Sequence, residues 1–162
     1  MKLLETLARL CAILAGILLI GITLMTVYSV IGRDFFGKAL TGDFEITAVM
    51  TGAAISMFLP YCQLRRGNII VDFFTAKTSD STRSKLDRVG AFLLAVMMGL
   101  CAWRATLGGM SAFKSNSGTM MLGFPEWIVY CFIVPGLTLT AIIALTQAIR
   151  GFSHVEGEEV LL

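Results

Sequence analysis

Four long apolar runs divide this chain, and the polar residues gather in the short stretches between them. The first run, residues 10–32, carries no charge for about 23 residues, more than the roughly 20 that a helix needs to cross the hydrocarbon core of a bilayer. The second covers residues 46–64, with Pro60 near its end, where a kink can accommodate it. The third, residues 89–113, is interrupted by Arg104. The fourth covers residues 127–149, opened by Pro125-Glu126-Trp127 and closed by Arg150. This pattern predicts an all-α integral membrane protein with four transmembrane helices in a single four-helix membrane domain. Ahead of them, Lys2, Glu5 and Arg9 fall at helical spacing opposite Leu3, Leu4, Leu7 and Leu10, an amphipathic run-in with Glu5 and Arg9 placed as an i,i+4 pair. A cleavable signal sequence would have a shorter apolar stretch, so the first span is expected to stay on the protein.

The connectors differ in character. Residues 33–45 are charge-balanced, with Gly37 and Gly42 as turn formers. The middle connector is basic, with Arg65, Arg66, Lys77, Arg83, Lys85 and Arg88 against Asp72, Asp80 and Asp87. Within it, residues 69–74 are apolar enough to lie at the membrane interface, and residues 78–81 offer several N-caps for the next helix. Gly108, Gly109, Ser115, Asn116, Ser117 and Gly118 read as a polar turn region before the last span. Fifteen uncharged residues before Arg104 rise about 22 Å as a helix, which puts Arg104 near the far interface, where its long side chain can snorkel. A contact with ion or substrate inside the membrane is the other reading.

Composition agrees with the pattern. Hydrophobic residues make up 56% and charged residues 15% of the chain, against roughly 25% charged in a soluble domain. The formal net charge of +2 gives no basis for nucleic-acid binding. The distribution of charge is more informative. With the N-terminus inside, Lys2, Arg9, the six basic residues of the middle connector and Arg150 all lie inside, against Arg33, Lys38 and Lys114 outside. That bias predicts cytoplasmic N- and C-termini, with residues 150–162 as a cytoplasmic tail.

Small residues recur four apart in every span: Ala8, Ala12 and Gly16; Ala48, Gly52 and Ser56; Ala91, Ala95 and Gly99; Gly136, Thr140, Ala144 and Ala148. Such stripes let helix backbones approach closely in lipid, within this chain or against a partner. The chemistry-bearing residues, in contrast, are sparse. His154 is the sole histidine and lies in the tail, so neither a histidine metal site nor a histidine-based catalytic arrangement can form. Cys11, Cys62, Cys101 and Cys131 sit singly in apolar spans without a C-x-x-C pair, although Cys101 and Cys131 fall toward the same face and a bridge between them stays open. No carboxylate occupies the middle of a span, as a proton-coupled four-helix exporter would require.

Two segments carry a more specific likeness. The run Arg65-Arg66-Gly67-Asn68-Ile69-Ile70-Val71-Asp72 at the end of the second span, and Leu122-Gly123-Phe124-Pro125-Glu126-Trp127-Ile128-Val129-Tyr130 continuing to Pro135-Gly136, resemble the two signatures of the small membrane subunit (DctQ-type) of tripartite ATP-independent periplasmic (TRAP) transporters. The chain departs from that pattern at Asn68, where histidine is commoner, and at Ile70, often basic. The resemblance implies a non-catalytic subunit of the bacterial cytoplasmic (inner) membrane. It would scaffold a large multi-span permease subunit for Na+-coupled uptake of a small organic acid, a carboxylate or acidic sugar, delivered by a periplasmic substrate-binding protein. It implies no cofactor in this chain, with Na+ belonging to the partner permease.

On that resemblance Glu45, Arg65, Arg66, Gly67, Asn68, Asp72, Pro125, Trp127 and Tyr130 are structural or subunit-interface candidates. The physical reading beside it is that these residues set topology and depth: the arginines meet terminal carbonyls, lipid phosphates or Asp72, and Trp127 sits at headgroup level. An autonomous small four-helix exporter or channel is the alternative function. A redox enzyme of the membrane is a third, which would need its cysteines.

Overall fold

The computed structural model describes residues 2–38, 40–65 and 80–150, and its four long helices are each long and apolar enough to cross a membrane. They are α1 (Lys2–Phe36), α2 (Asp43–Leu64), α3 (Asp80–Ser115) and α4 (Trp127–Arg150). The amphipathic run-in and the first span are one uninterrupted helix, since no glycine or proline precedes Gly16, and Arg9 Nη2 lies 3.7 Å from Glu5 Oε1. Helix α1 ends where Gly37 takes a left-handed conformation (φ 63°). Gly42 does the same (φ 79°) just before α2. The intervening turn is tied to both helices: Ser29 Oγ donates to Asp43 Oδ2 and accepts from the Leu40 N–H.

The helices pack as an open row. Helix α1 lies on α2, α2 on α4, and α4 on α3, while α1 meets α4 only at its margin. Chain order and spatial order therefore differ, because α4 inserts between α2 and α3. Both short turns, 37–42 and 116–126, lie at one end of the row, called here the hairpin end. In such a row each helix keeps a broad surface free, and large apolar side chains such as Ile20, Leu24, Phe92, Met97 and Trp103 are exposed accordingly. In lipid this costs nothing, because apolar surface gains nothing by leaving acyl chains for protein.

What the seams share is small size. On α1 the buried residues are Ala8, Ala15, Ile22 and Ser29, seven apart, the 3.5-residue period of helices that wind closely along one another. On α3 the seam runs Ala91, Ala95, Met98, Ala102, Ala105, Gly109 and Ala112, alternating four and three. The stripes expected at strict spacings of four thus coincide with the seams only in part: on α2, Ser56 is buried and Ala48 exposed. On α4, Gly136, Thr140 and Ala144 are buried as expected. A Cβ on Gly136 would stand 2.3 Å from the Ser56 carbonyl oxygen, so α2 and α4 touch there backbone to backbone. Toward the other end Gln63 Nε2 donates to Gln147 Oε1 (2.8 Å), and Gln147 Nε2 donates to the Gln63 carbonyl (3.2 Å). Both amides are buried, so this pair fastens α2 to α4 at that end.

One expectation needs correction. Gly108 and Gly109 belong to helix, not to the turn region: the Tyr130 ring lies on them, and a Cβ at Gly109 would come within 2.8 Å of Tyr130 Cβ. Helix α3 consequently continues to Ser115, eleven residues, roughly 16 Å, beyond Arg104.

Candidate functional site

The loop between α3 and α4 is where sequence motif and structure meet. After Ser115 the chain reverses through Asn116, whose φ of 51° is left-handed, and the Ser117 N–H donates to the Ala112 carbonyl. A single antiparallel bridge then joins Gly118 to Pro125, supported by the Thr119 N–H on the Phe124 carbonyl (3.0 Å) and the Glu126 N–H on the Ser117 carbonyl (3.1 Å). Gly123, at φ 61°, closes the tip with its N–H on the Thr119 carbonyl. The Thr119 hydroxyl accepts from the Phe124 N–H, and Ser117 Oγ donates to Glu126 Oε2.

This loop is clamped onto the start of α2. Glu45 accepts the Met121 N–H on Oε1 (2.8 Å) and the Leu122 N–H on Oε2 (3.1 Å). Leu122 packs so tightly on Gly42 that a Cβ there would lie 2.4 Å from Leu122 Cγ. The carboxylate stands just before the apolar run 46–64. Desolvation works against its charge, but the Thr119 hydroxyl and the N–H groups of Met121, Leu122 and Met120 outweigh that cost and hold its pKa below the ordinary value.

The other face of the motif anchors α4 on α3. Trp127 meets Phe113 edge to face, with ring centroids 5.6 Å apart, and Tyr130 covers Gly108 and Gly109. Pro125 is exposed, and its carbonyl accepts the Ile128 N–H in the first turn of α4. Glu45, Pro125, Trp127 and Tyr130 are therefore brought to one end of the molecule.

The second motif is represented by Arg65 alone, since Arg66, Gly67, Asn68 and Asp72 lie outside the described residues, as do Thr78, Ser79 and His154. Arg65 caps α2: its N–H reaches the Tyr61 carbonyl, while its guanidinium donates to the Tyr61 hydroxyl (3.2 Å) and stands 5.5 Å from that ring's centroid.

Sequence reasoning missed Gly42, Leu122 and Ser29 as contact residues and the Gln63–Gln147 pair. Gly42 carried a turn signal, and the two glutamines are uncharged polar residues at corresponding ends of apolar runs, the best available hint of an interhelical hydrogen bond. Among the described residues no group of three or more His, Cys, Asp or Glu side chains could hold a metal, and no disulfide joins the four cysteines. What the arrangement offers is a hydrogen-bonded loop at the hairpin end and long uncovered helix faces. The family described as "Tripartite ATP-independent periplasmic transporters, DctQ component" matches residues 22–154. No curated protein and no solved structure matches the chain.

Proposed function

Because the chain belongs to the DctQ family, the small membrane component of tripartite ATP-independent periplasmic transporters, we propose that it is the fixed scaffold of such a transporter. Subunits of this type are non-catalytic, and the chain is a multi-pass membrane protein with four spanning helices. In the proposed role a large permease subunit carries the substrate and Na+. A periplasmic protein captures a small organic acid and hands it over at the outer face. The observation that carries the reading is the open row. A closed bundle hides its packing surfaces, whereas a row one helix thick presents a wide, stiff wall to a moving neighbour. The hydrogen-bonded loop 116–126 fits the outer face, with Met120 and Met121 exposed where a periplasmic protein would arrive. Arg65 and the basic residues after it fit the cytoplasmic face, with both termini on that side.

Affinity purification of the tagged chain from its native membrane in mild detergent tests this proposal. A stoichiometric large multi-span protein, retained through size exclusion and identified by mass spectrometry, is the expected result. A chain that runs alone or only with itself, and conducts or exchanges solutes in liposomes, would defeat it.

A further inference from the structure

Arg104 is the one basic side chain between residues 89 and 113, and α3 continues without a break for eleven residues beyond it. Level with the hairpin end of α3 are Phe113 and Trp127, the aromatic pair expected at the membrane interface. Arg104 lies nine residues, about 13 Å, deeper than Phe113. Snorkelling does not relieve this. Side chains on a helix lean toward its N-terminus, so Arg104 leans away from the nearer end of α3 and toward the middle of the span. Among the described residues nothing donates to it, accepts from it or pairs with its charge, and it is exposed.

Its direction on the helix is equally defined. Ala102 is buried in the seam, and two residues turn the helix by roughly 200°, so Arg104 projects from the side of α3 opposite that seam. Leu100, Leu107 and Ser111 share this exposed face. Helix α3 stands at one end of the row and packs substantially on α4 alone. A charge held at this depth is costly, and such arginines face protein or water rather than lipid and pair with opposite charges or backbone carbonyls there.

We propose that this face of α3 seats the large membrane subunit, and that a carboxylate on a membrane-embedded helix of that partner receives the Arg104 guanidinium. The inference rests on the transporter-subunit reading above and adds which face the partner covers. A guanidinium meets a carboxylate with two parallel hydrogen bonds, which would fix register as well as adhesion along an otherwise apolar contact.

The test uses the full complex, co-expressed with a tagged small subunit. R104L removes the charge without altering any contact inside this chain, so it should accumulate in the membrane as the wild type does. Recovery of the large subunit should nevertheless fall roughly tenfold or more, because its carboxylate is left buried and unpaired. R104K should recover part of the loss. A photo-crosslinking residue at position 107 should reach the large subunit. Full recovery with R104L, or cross-links from 107 only to lipid or to a second copy of this chain, would overturn the proposal. Should R104L fail to accumulate, the cross-link from an otherwise wild-type chain decides. A large subunit that is retained but cross-links from position 20 on α1 and not from 107 would sink this face alone. Absence of any large subunit would sink the transporter reading with it.

Discussion

Helix α4 has two substantial neighbours, and it holds them by different means. Against α2 it uses one backbone contact, Gly136 on Ser56, and one buried amide pair, Gln147 with Gln63, with Thr140 and Ile143 buried between them. Against α3 it meets a ladder of alanines closed at the hairpin end by Tyr130 and Trp127, and among the described residues no side-chain hydrogen bond joins the two helices. The first seam is specified at two points and tolerates little. The second is a sum of small interchangeable contacts, each worth little alone. The difference teaches where register is set: α2 and α4 form the fixed centre, and α3 is applied to it by shape.

The sharpest way to break this comparison is to add one carbon to each seam. G136A would press its Cβ onto the Ser56 backbone, which cannot move without parting the helices, so a loss of about 3 kcal/mol is expected from thermal unfolding in detergent. G109A would bring its Cβ within 2.8 Å of Tyr130 Cβ, which rotation of the ring does not move, but the better helix propensity of alanine offsets about 1 kcal/mol, so a smaller loss of ~1–2 kcal/mol is expected. Equal losses would remove the distinction.

Next in size is the amide pair. Q147L should cost about 1–2 kcal/mol by removing the acceptor of the Gln63 Nε2 hydrogen bond and the donor to the Gln63 carbonyl, whereas the double variant Q63L/Q147L should cost less than the two single losses together. A double-mutant cycle that came out additive would deny the pair its role.

The smallest effect concerns the loop clamp. In E45Q, hydrogen exchange at the Met121 and Leu122 amides should rise several-fold at neutral pH while the helices keep their protection. Because the folded state lowers the pKa of Glu45, its contribution is complete above the ordinary value of 4.5 and is lost as pH falls through the lower folded value. Acid should therefore lower the protection factors of these two amides, taken against the intrinsic exchange rate at each pH, in the wild type and leave those of E45Q nearly unchanged. An acid response of equal size in both would assign it to another group.

The helices were legible because lipid imposes one unambiguous demand, a long and predominantly apolar run, and the chain meets it four times, the third time with Arg104 inside the run. The seams were only partly legible. Counting by fours marks Ala8, Ala12 and Gly16, but closely packed helices return every seven residues, and the line of contact runs through Ala15, Ile22 and Ser29 instead. The bounds of α3 were misread for a related reason: Gly108 and Gly109 look like turn residues until Tyr130 is seen to need their bare surface. For the candidate site, Pro125, Trp127 and Tyr130 announced a helix start, yet nothing local in the sequence joins Glu45 to amides 76 and 77 residues away. Long-range clamps of this kind leave no periodic trace.

The insertion of α4 between α2 and α3 also governs the birth of the protein. Spans leave the ribosome in chain order, so α1 and α2 can pair as soon as both are in the membrane. Helix α3 then enters the bilayer before its main neighbour in this chain has been made. Two of the three principal seams thus close together, when the last span arrives, and until then α3 has no principal neighbour within the chain.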